Sequence, residues 1–148
     1  RQLCTSIAAT PFWICCAMPL SKDVLIDTDV LIWLARGNTN AQRVVNTLGN
    51  WSISAVTYME MVQGCRSKLE LKALQKAFKS RQDTVLPLTP AISNCACTLV
   101  ENHALSHSLQ MADALIAATA LEHGLPLLTG NGKHFSVVPG LHVAIFKP

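Results

Sequence analysis

Asp27, Asp29, Glu60 and Asp113 stand where packing alone would not put an acid. Asp27 ends the apolar run Val24-Leu25-Ile26, with Asp29 two residues on. Glu60 interrupts Tyr58-Met59-Glu60-Met61-Val62, and Asp113 opens Ala112-Asp113-Ala114-Leu115-Ile116-Ala117-Ala118. The chain has nine Asp and Glu residues in all, so four of them in apolar surroundings carry a desolvation cost that something positive must offset. A divalent cation would do so. Mg²⁺ and Mn²⁺ take oxygen ligands, and carboxylates converging from separate segments hold such an ion against a phosphate. Thr129 and Asn131, in Leu127-Leu128-Thr129-Gly130-Asn131-Gly132-Lys133-His134-Phe135, offer neutral oxygens.

Each residue also has a structural explanation. In extended geometry Asp27 and Asp29 leave the end of a strand on the same side, where parallel sheets bind ligands; the alternative is an Asx turn. Thr57-Tyr58-Met59-Glu60 fits a capping box, and Asp113 fits an acid favoured by a helix N-terminus. The glycines around Asn131 suit an ordinary turn, and no phosphate-cradling GxxxxGK[ST] loop is present. Favouring chemistry is the joint placement of acids at a strand end and in early helical turns.

The elements that must position them alternate. Val24 to Asp27 reads as a buried strand, followed by the apolar group Val30 to Leu34. Ala41, Val44, Val45 and Leu48 form a helical stripe closed by Gly49. Strands are expected at 51–53, 84–88, 125–129 and 142–146. Helices are expected from Ser54 to about Cys65, from Leu69 to Ser80, along Ile92 to His103, and from Asp113 to His123. This order predicts a three-layer α/β/α fold with a mostly parallel central sheet.

With 148 residues, 50% of them hydrophobic, the chain suits one well-buried domain. A net charge of +3 permits a nucleic-acid partner without demanding one. Cys4, Cys15 and Cys16 lie near the start and Cys65, Cys95 and Cys97 in helix-like segments. No CxxC spacing occurs, so free thiols in a reducing cytoplasm are expected. Residues 1–17 contain no acid and no glycine, and their apolar stretch is broken well short of the ~20 residues that a membrane span needs. They are expected to be a dispensable leader ahead of a domain at 18–148. Lys68, Lys72, Lys76 and Lys79, at offsets of 0, 4, 8 and 11, share a helical face flanked by Arg66 and Arg81. Such a row can follow an RNA backbone, or be a solvated helix face. His103 and His107 are spaced as zinc ligands can be but lack a third partner.

Asp27-Thr28-Asp29-Val30-Leu31, the Thr57-x-x-Glu60 helix, Asp113 to Ala120, and Leu128-Thr129-Gly130-Asn131 through His134-Phe135 resemble, in order and spacing, the PIN-domain ribonucleases. They are most similar to the VapC-type toxins of bacterial toxin-antitoxin pairs, over about residues 18–148. The resemblance implies a metal-dependent endoribonuclease, usually a homodimer, neutralised by a small cognate antitoxin that packs on it and blocks its groove. By motif match Asp27, Glu60 and Asp113 are its metal-binding acids. The family's fourth acid falls on Asn131, and Asp29 stands where the family more often has Asn or Ser. Two other readings of the residues stay open. Asp27-Thr28-Asp29 fits the nucleophile-plus-acid pair of a haloacid-dehalogenase-like phosphatase, although 130–134 lacks the later acidic pair that class needs. A degenerate domain could bind RNA or a partner without cutting.

Overall fold

A parallel sheet needs crossovers long enough to return the chain to the same edge, and the spacing of apolar runs here supplies helices of that length. The computed structural model describes residues 23–80 and 84–148; the leader and Arg81 lie outside them. The order is β1 (Asp23–Ile26), α1 (Thr28–Ala35), α2 (Thr39–Thr47), β2 (Asn50–Ser54), α3 (Ala55–Gln63), α4 (Lys68–Lys79), β3 (Val85–Leu86), α5 (Pro90–His107), α6 (Met111–His123), β4 (Leu127–Thr129), α7 (Gly132–Phe135) and β5 (Val143–Ile145). The strands lie in the order β3-β2-β1-β4-β5, and every pairing is parallel.

Strand alternation divides the core between the two faces. Leu25 and Leu127 face a cluster built with Ile92, Leu99, Ile116 and Ala117 from α5 and α6. Val24, Ile26 and Leu128 face the opposite way, onto Val30, Leu31, Ala41 and Val45 from α1 and α2. Small residues at Ala114, Ala117, Ala118 and Ala120 are completely buried, which lets α6 lie close to the sheet. Gly124 ends that helix at φ +61, where an L side chain would be strained. The three-layer α/β/α expectation therefore holds.

Three local readings are settled. Asp29 is not extended: Asp27 caps α1 and Asp29 lies in its first helical turn. The capping-box alternative for Thr57 and Glu60 is not realised, because α3 starts at Ala55, in line with the helix expected from Ser54. Its cap is Ser54, whose Oγ accepts from Val56 N at 3.3 Å, leaving Glu60 in the helix body. The segment after β4 is not only a turn but includes the short helix α7, anchored by Phe135 at 1% exposure.

The chain leaves β1 to form β2 on one side, while β4 pairs on the other, so the carboxyl ends of β1 and β4 flank a switch point where open α/β sheets bind ligands. Leu25 pairs with Leu127 and Ile26 with Leu128; the next step of that register brings Asp27 beside Thr129. Because Leu25 is fully buried in this central strand, Leu25→Ala should lower unfolding free energy by about 2–5 kcal/mol. Urea denaturation would check this, and a loss under about 1 kcal/mol would contradict a tightly packed sheet centre.

Candidate active site

Asp27 is at the centre, 6% exposed. Its Oδ1 accepts from Thr28 N at 2.7 Å and its Oδ2 from Thr129 Oγ1 at 2.7 Å, while the same Thr129 oxygen accepts from Asn131 N at 2.9 Å. Two adjacent parallel strand ends thus hold one carboxylate. Burial pushes the Asp27 carboxyl up to about 7; the Thr129 and Thr28 bonds oppose that rise, and the charges of Asp29 and Asp113 add to it.

Asp29 comes from the first turn of α1 and reaches the loop after β4. Its Oδ2 accepts from Gly130 N at 2.9 Å. A Cβ on Gly130 would lie 2.7 Å from that oxygen, so only glycine lets the backbone approach so closely. Oδ1 is buried with no hydrogen-bond partner. Its carboxyl too is raised, first by burial, with the Asp113 charge contributing.

Glu60, half-buried on α3, receives a short hydrogen bond from Thr28 Oγ1, which also lies 3.3 Å from Thr57 Oγ1. Asp113, in the first turn of α6, meets His134: Nδ1 of the ring is 3.0 Å from Asp113 Oδ2 and 2.9 Å from Asn131 Nδ2. The structure therefore brings together Asp27, Asp29, Asp113, Thr129 and Asn131, with Glu60 joined through Thr28. Thr28 and His134 stand inside the quoted motifs, but motif reading gave them no role. Their only sequence signal was a hydroxyl between two acids and a histidine following Asn131 by three.

These groups suit a hard divalent cation: they are oxygen donors, mutually repelling, and one buried oxygen is unpaired. Among the described residues, no group of three or more His, Cys, Asp and Glu is gathered as a set that could hold a metal ion; Asp113 is turned to His134 and Glu60 to Thr28. His103 and His107 pack edge to face at 5.7 Å, and His107 Nδ1 lies 2.7 Å from Ser106 Oγ. No third ligand joins them among the described residues.

A groove of about 660 Å³ opens beside Glu60, lined among others by Ile32, Arg36, Met61, Arg66 and Leu74. All four lysines of α4 are exposed, and none is in that lining. They share a face of α4 separate from Glu70, Ala73 and Ala77, which turn toward the groove. Among the described residues, the basic groups lining the groove with Glu60 are thus Arg36 and Arg66 rather than the lysine row. Cys65, Cys95 and Cys97 are free thiols, and no described helix is long and apolar enough to cross a membrane.

Comparison with known proteins gives a consistent result. The family model for the PIN domain matches residues 24–141. Ribonuclease VapC19 of Mycobacterium tuberculosis is 31% identical over 122 residues, covering 79% of this chain and 95% of the relative. A toxin-antitoxin complex from Klebsiella pneumoniae superposes with a TM-score of 0.69 at 28% identity, over 82% of this chain and 95% of that one. VapBC2 from Rickettsia felis, bound to a DNA fragment from its promoter, gives 0.70 at 17% identity, over 84% and 99%; at that identity it speaks to the fold.

The burial of Asp27 has a measurable consequence in metal-free protein. Its folded pKa of about 7 lies above the ordinary 3.8, so between those values the native state binds more protons than the unfolded chain. Stability should fall as pH rises through that window, with the cost fully present above about pH 7. Asp27→Asn removes the charge, and the Thr129 hydroxyl can accept from the new amide. In EDTA the variant should melt several degrees above wild type at pH 8 and level with it near pH 4. Parallel melting curves at both pH values would show that the carboxylate is not desolvated.

Proposed function

The chain belongs to the PIN-domain family, and from that premise we infer that it is an endoribonuclease of the VapC kind, the toxin of a toxin-antitoxin pair, hydrolysing RNA phosphodiester bonds. The observation that carries this reading is the desolvated acid cluster at the switch point, with Asp29 Oδ1 left unpaired. Asp27, Glu60 and Asp113, with the Asn131 amide oxygen and Asp29 beside them, would hold Mg²⁺ or Mn²⁺. When bound, such an ion lowers the pKa of a coordinated water and offsets charge on the phosphate. The chain's own contribution is placement. Thr129 and Thr28 N aim the two oxygens of Asp27, Thr28 Oγ1 draws Glu60 to the strand end, and Gly130 holds Asp29 against the β4 loop.

RNA would approach along the groove beside Glu60, its phosphates met first by Arg36 and Arg66 and farther out by Lys68, Lys72, Lys76 and Lys79. The same groove, apolar at Ile32, Met61 and Leu74, suits a cognate antitoxin that would cover it and block access. Leu105 and Met111, both exposed, are apolar surface that a homodimer would bury. The phosphatase reading loses support, because the loop after β4 offers Asn131 and His134 where that chemistry requires acids.

Purified protein should cut RNA with Mn²⁺ or Mg²⁺ and not in EDTA. Asp27→Asn, Glu60→Gln and Asp113→Asn should each reduce cleavage to background while keeping a native circular dichroism spectrum. Cleavage at wild-type rate in EDTA would overturn the metal role, and well-folded wild type that binds RNA with metal but never cuts would return the chain to a binding domain.

Groove and lysine contributions separate by salt dependence in the Asp27→Asn background, where substrate stays intact. Removing one side chain that neutralises a phosphate should lower the slope of log affinity against log salt by about 0.7 for single-stranded RNA. Arg36→Ala with Arg66→Ala should flatten it more than Lys72→Ala with Lys76→Ala. An unchanged slope in the lysine pair would assign that row to solvent.

A further inference from the structure

α5 ends in two histidines that the acid cluster does not use. Ile92, Ala96 and Leu99 form the buried stripe of this helix, and His103 continues it four residues on, half-buried, with His107 one turn farther and exposed. The two rings therefore share one side of the last turns. Their centroids are 5.7 Å apart, with the ring planes inclined at 65°. Two imidazoles on one tetrahedral cation, each with a metal–nitrogen distance of about 2.0–2.1 Å, have ring centres roughly 5 Å apart. A small rotation of one ring brings the pair to that spacing. His107 is also held from its other side: Nδ1 lies 2.7 Å from Ser106 Oγ, which leaves Nε2 to bind. A metal-ligating ring is commonly oriented in this way, by a hydrogen bond through the nitrogen that does not coordinate.

We propose that His103 and His107 form a two-ligand site for a divalent transition-metal cation, Zn²⁺ above all, separate from the acid cluster at the strand ends. Ligand chemistry sorts the two sites. Imidazole nitrogen suits Zn²⁺, whereas Mg²⁺ takes carboxylate and water oxygens, so saturating Mg²⁺ leaves the histidine pair open. Among the described residues no third His, Cys, Asp or Glu joins the pair, and Ser106 and His107 are exposed, so water fills the other coordination positions. A cation bridging residues four apart pins the last turn of α5. There the chain bends toward α6 through Ser108 at φ 55, a conformation that favours glycine and that the bridge would help to hold.

The test is a calorimetric titration of ZnCl₂ into the full chain in saturating Mg²⁺, after stripping with EDTA and with the thiols kept reduced. Wild type should bind Zn²⁺ in a step that His103→Ala and His107→Ala each weaken at least about tenfold, since losing a ligand costs no less than losing a ligand's partner. Added ZnCl₂ should raise the melting temperature of wild type and not that of His107→Ala. Protein labelled with ¹⁵N in histidine gives a reading that needs no variant. Substoichiometric Zn²⁺ should move the His103 and His107 signals together, before those of His123, His134 and His142. If either alanine variant binds Zn²⁺ with wild-type affinity, the two rings act singly or the thiols hold the ion, and the proposal is overturned. Signals of other histidines moving first, or no zinc step at all in Mg²⁺, would overturn it equally. Neither result bears on RNA cleavage, which rests on the acids.

Discussion

Removing the Asp27 carboxylate from water is the constraint around which the site is built. A carboxyl group at 6% exposure is tolerable only if its oxygens are met, and here both are: by the amide that follows it and by a hydroxyl from the neighbouring strand. Those bonds lower the cost without cancelling it, since the group still titrates near 7. What they do settle is direction. The side chain is locked between β1 and β4, with Thr28 and Thr129 bonded to it directly.

The sheet makes such locking possible. Side by side and parallel, β1 and β4 release their chains at the same end, and the step of register beyond Ile26 and Leu128 sets Asp27 next to Thr129. Leu25 and Leu127 anchor one face of those strands, Ile26 and Leu128 the other, so a slip in either strand would invert its buried set. Hydrophobic packing on two faces therefore fixes, at the level of single residues, which polar groups meet at the edge. The acids on helices are positioned differently: Asp29 and Asp113 each lie in a first turn, where the helix dipole favours a negative charge, and each is held by a partner from the segment after β4.

Much of this was legible in the residues, and the misses share a cause. Short β-branched or leucine-rich runs and the alternating apolar stripes gave the strands, the helices and the layer order, because burial on both faces writes itself into composition. The acids were legible because charge in an apolar run is costly. Geometry at the element joins was not. Asp29 passed for a strand residue because a two-residue spacing suits an extended chain, yet capping by Asp27 starts the helix one residue earlier. Thr57 fitted a cap only as an alternative, since that motif is local, and the helix formed is the one expected from Ser54 at the end of its strand. The roles of Thr28 and His134 were unreadable for a different reason: each acts through a partner 32 or 21 residues away, and no local pattern encodes that.

Asp29 and Asn131 are best understood together. The resemblance to PIN nucleases sets a neutral residue at the first position and an acid at the second, and this chain has the opposite pair. In space the exchange is small, since Asp29 Oδ2 is bonded to Gly130 N, one residue from Asn131. A carboxylate is therefore kept against the loop after β4, delivered from α1 instead of from the loop itself. The cost is a buried oxygen without a partner and an added like charge beside Asp27 and Asp113. In return the loop gains an amide, which can both donate and accept where a carboxylate could only accept. That capacity lets residue 131 meet the His134 ring, 2.9 Å away, in either orientation of its amide, so the two departures from the family pattern form one arrangement rather than two separate losses.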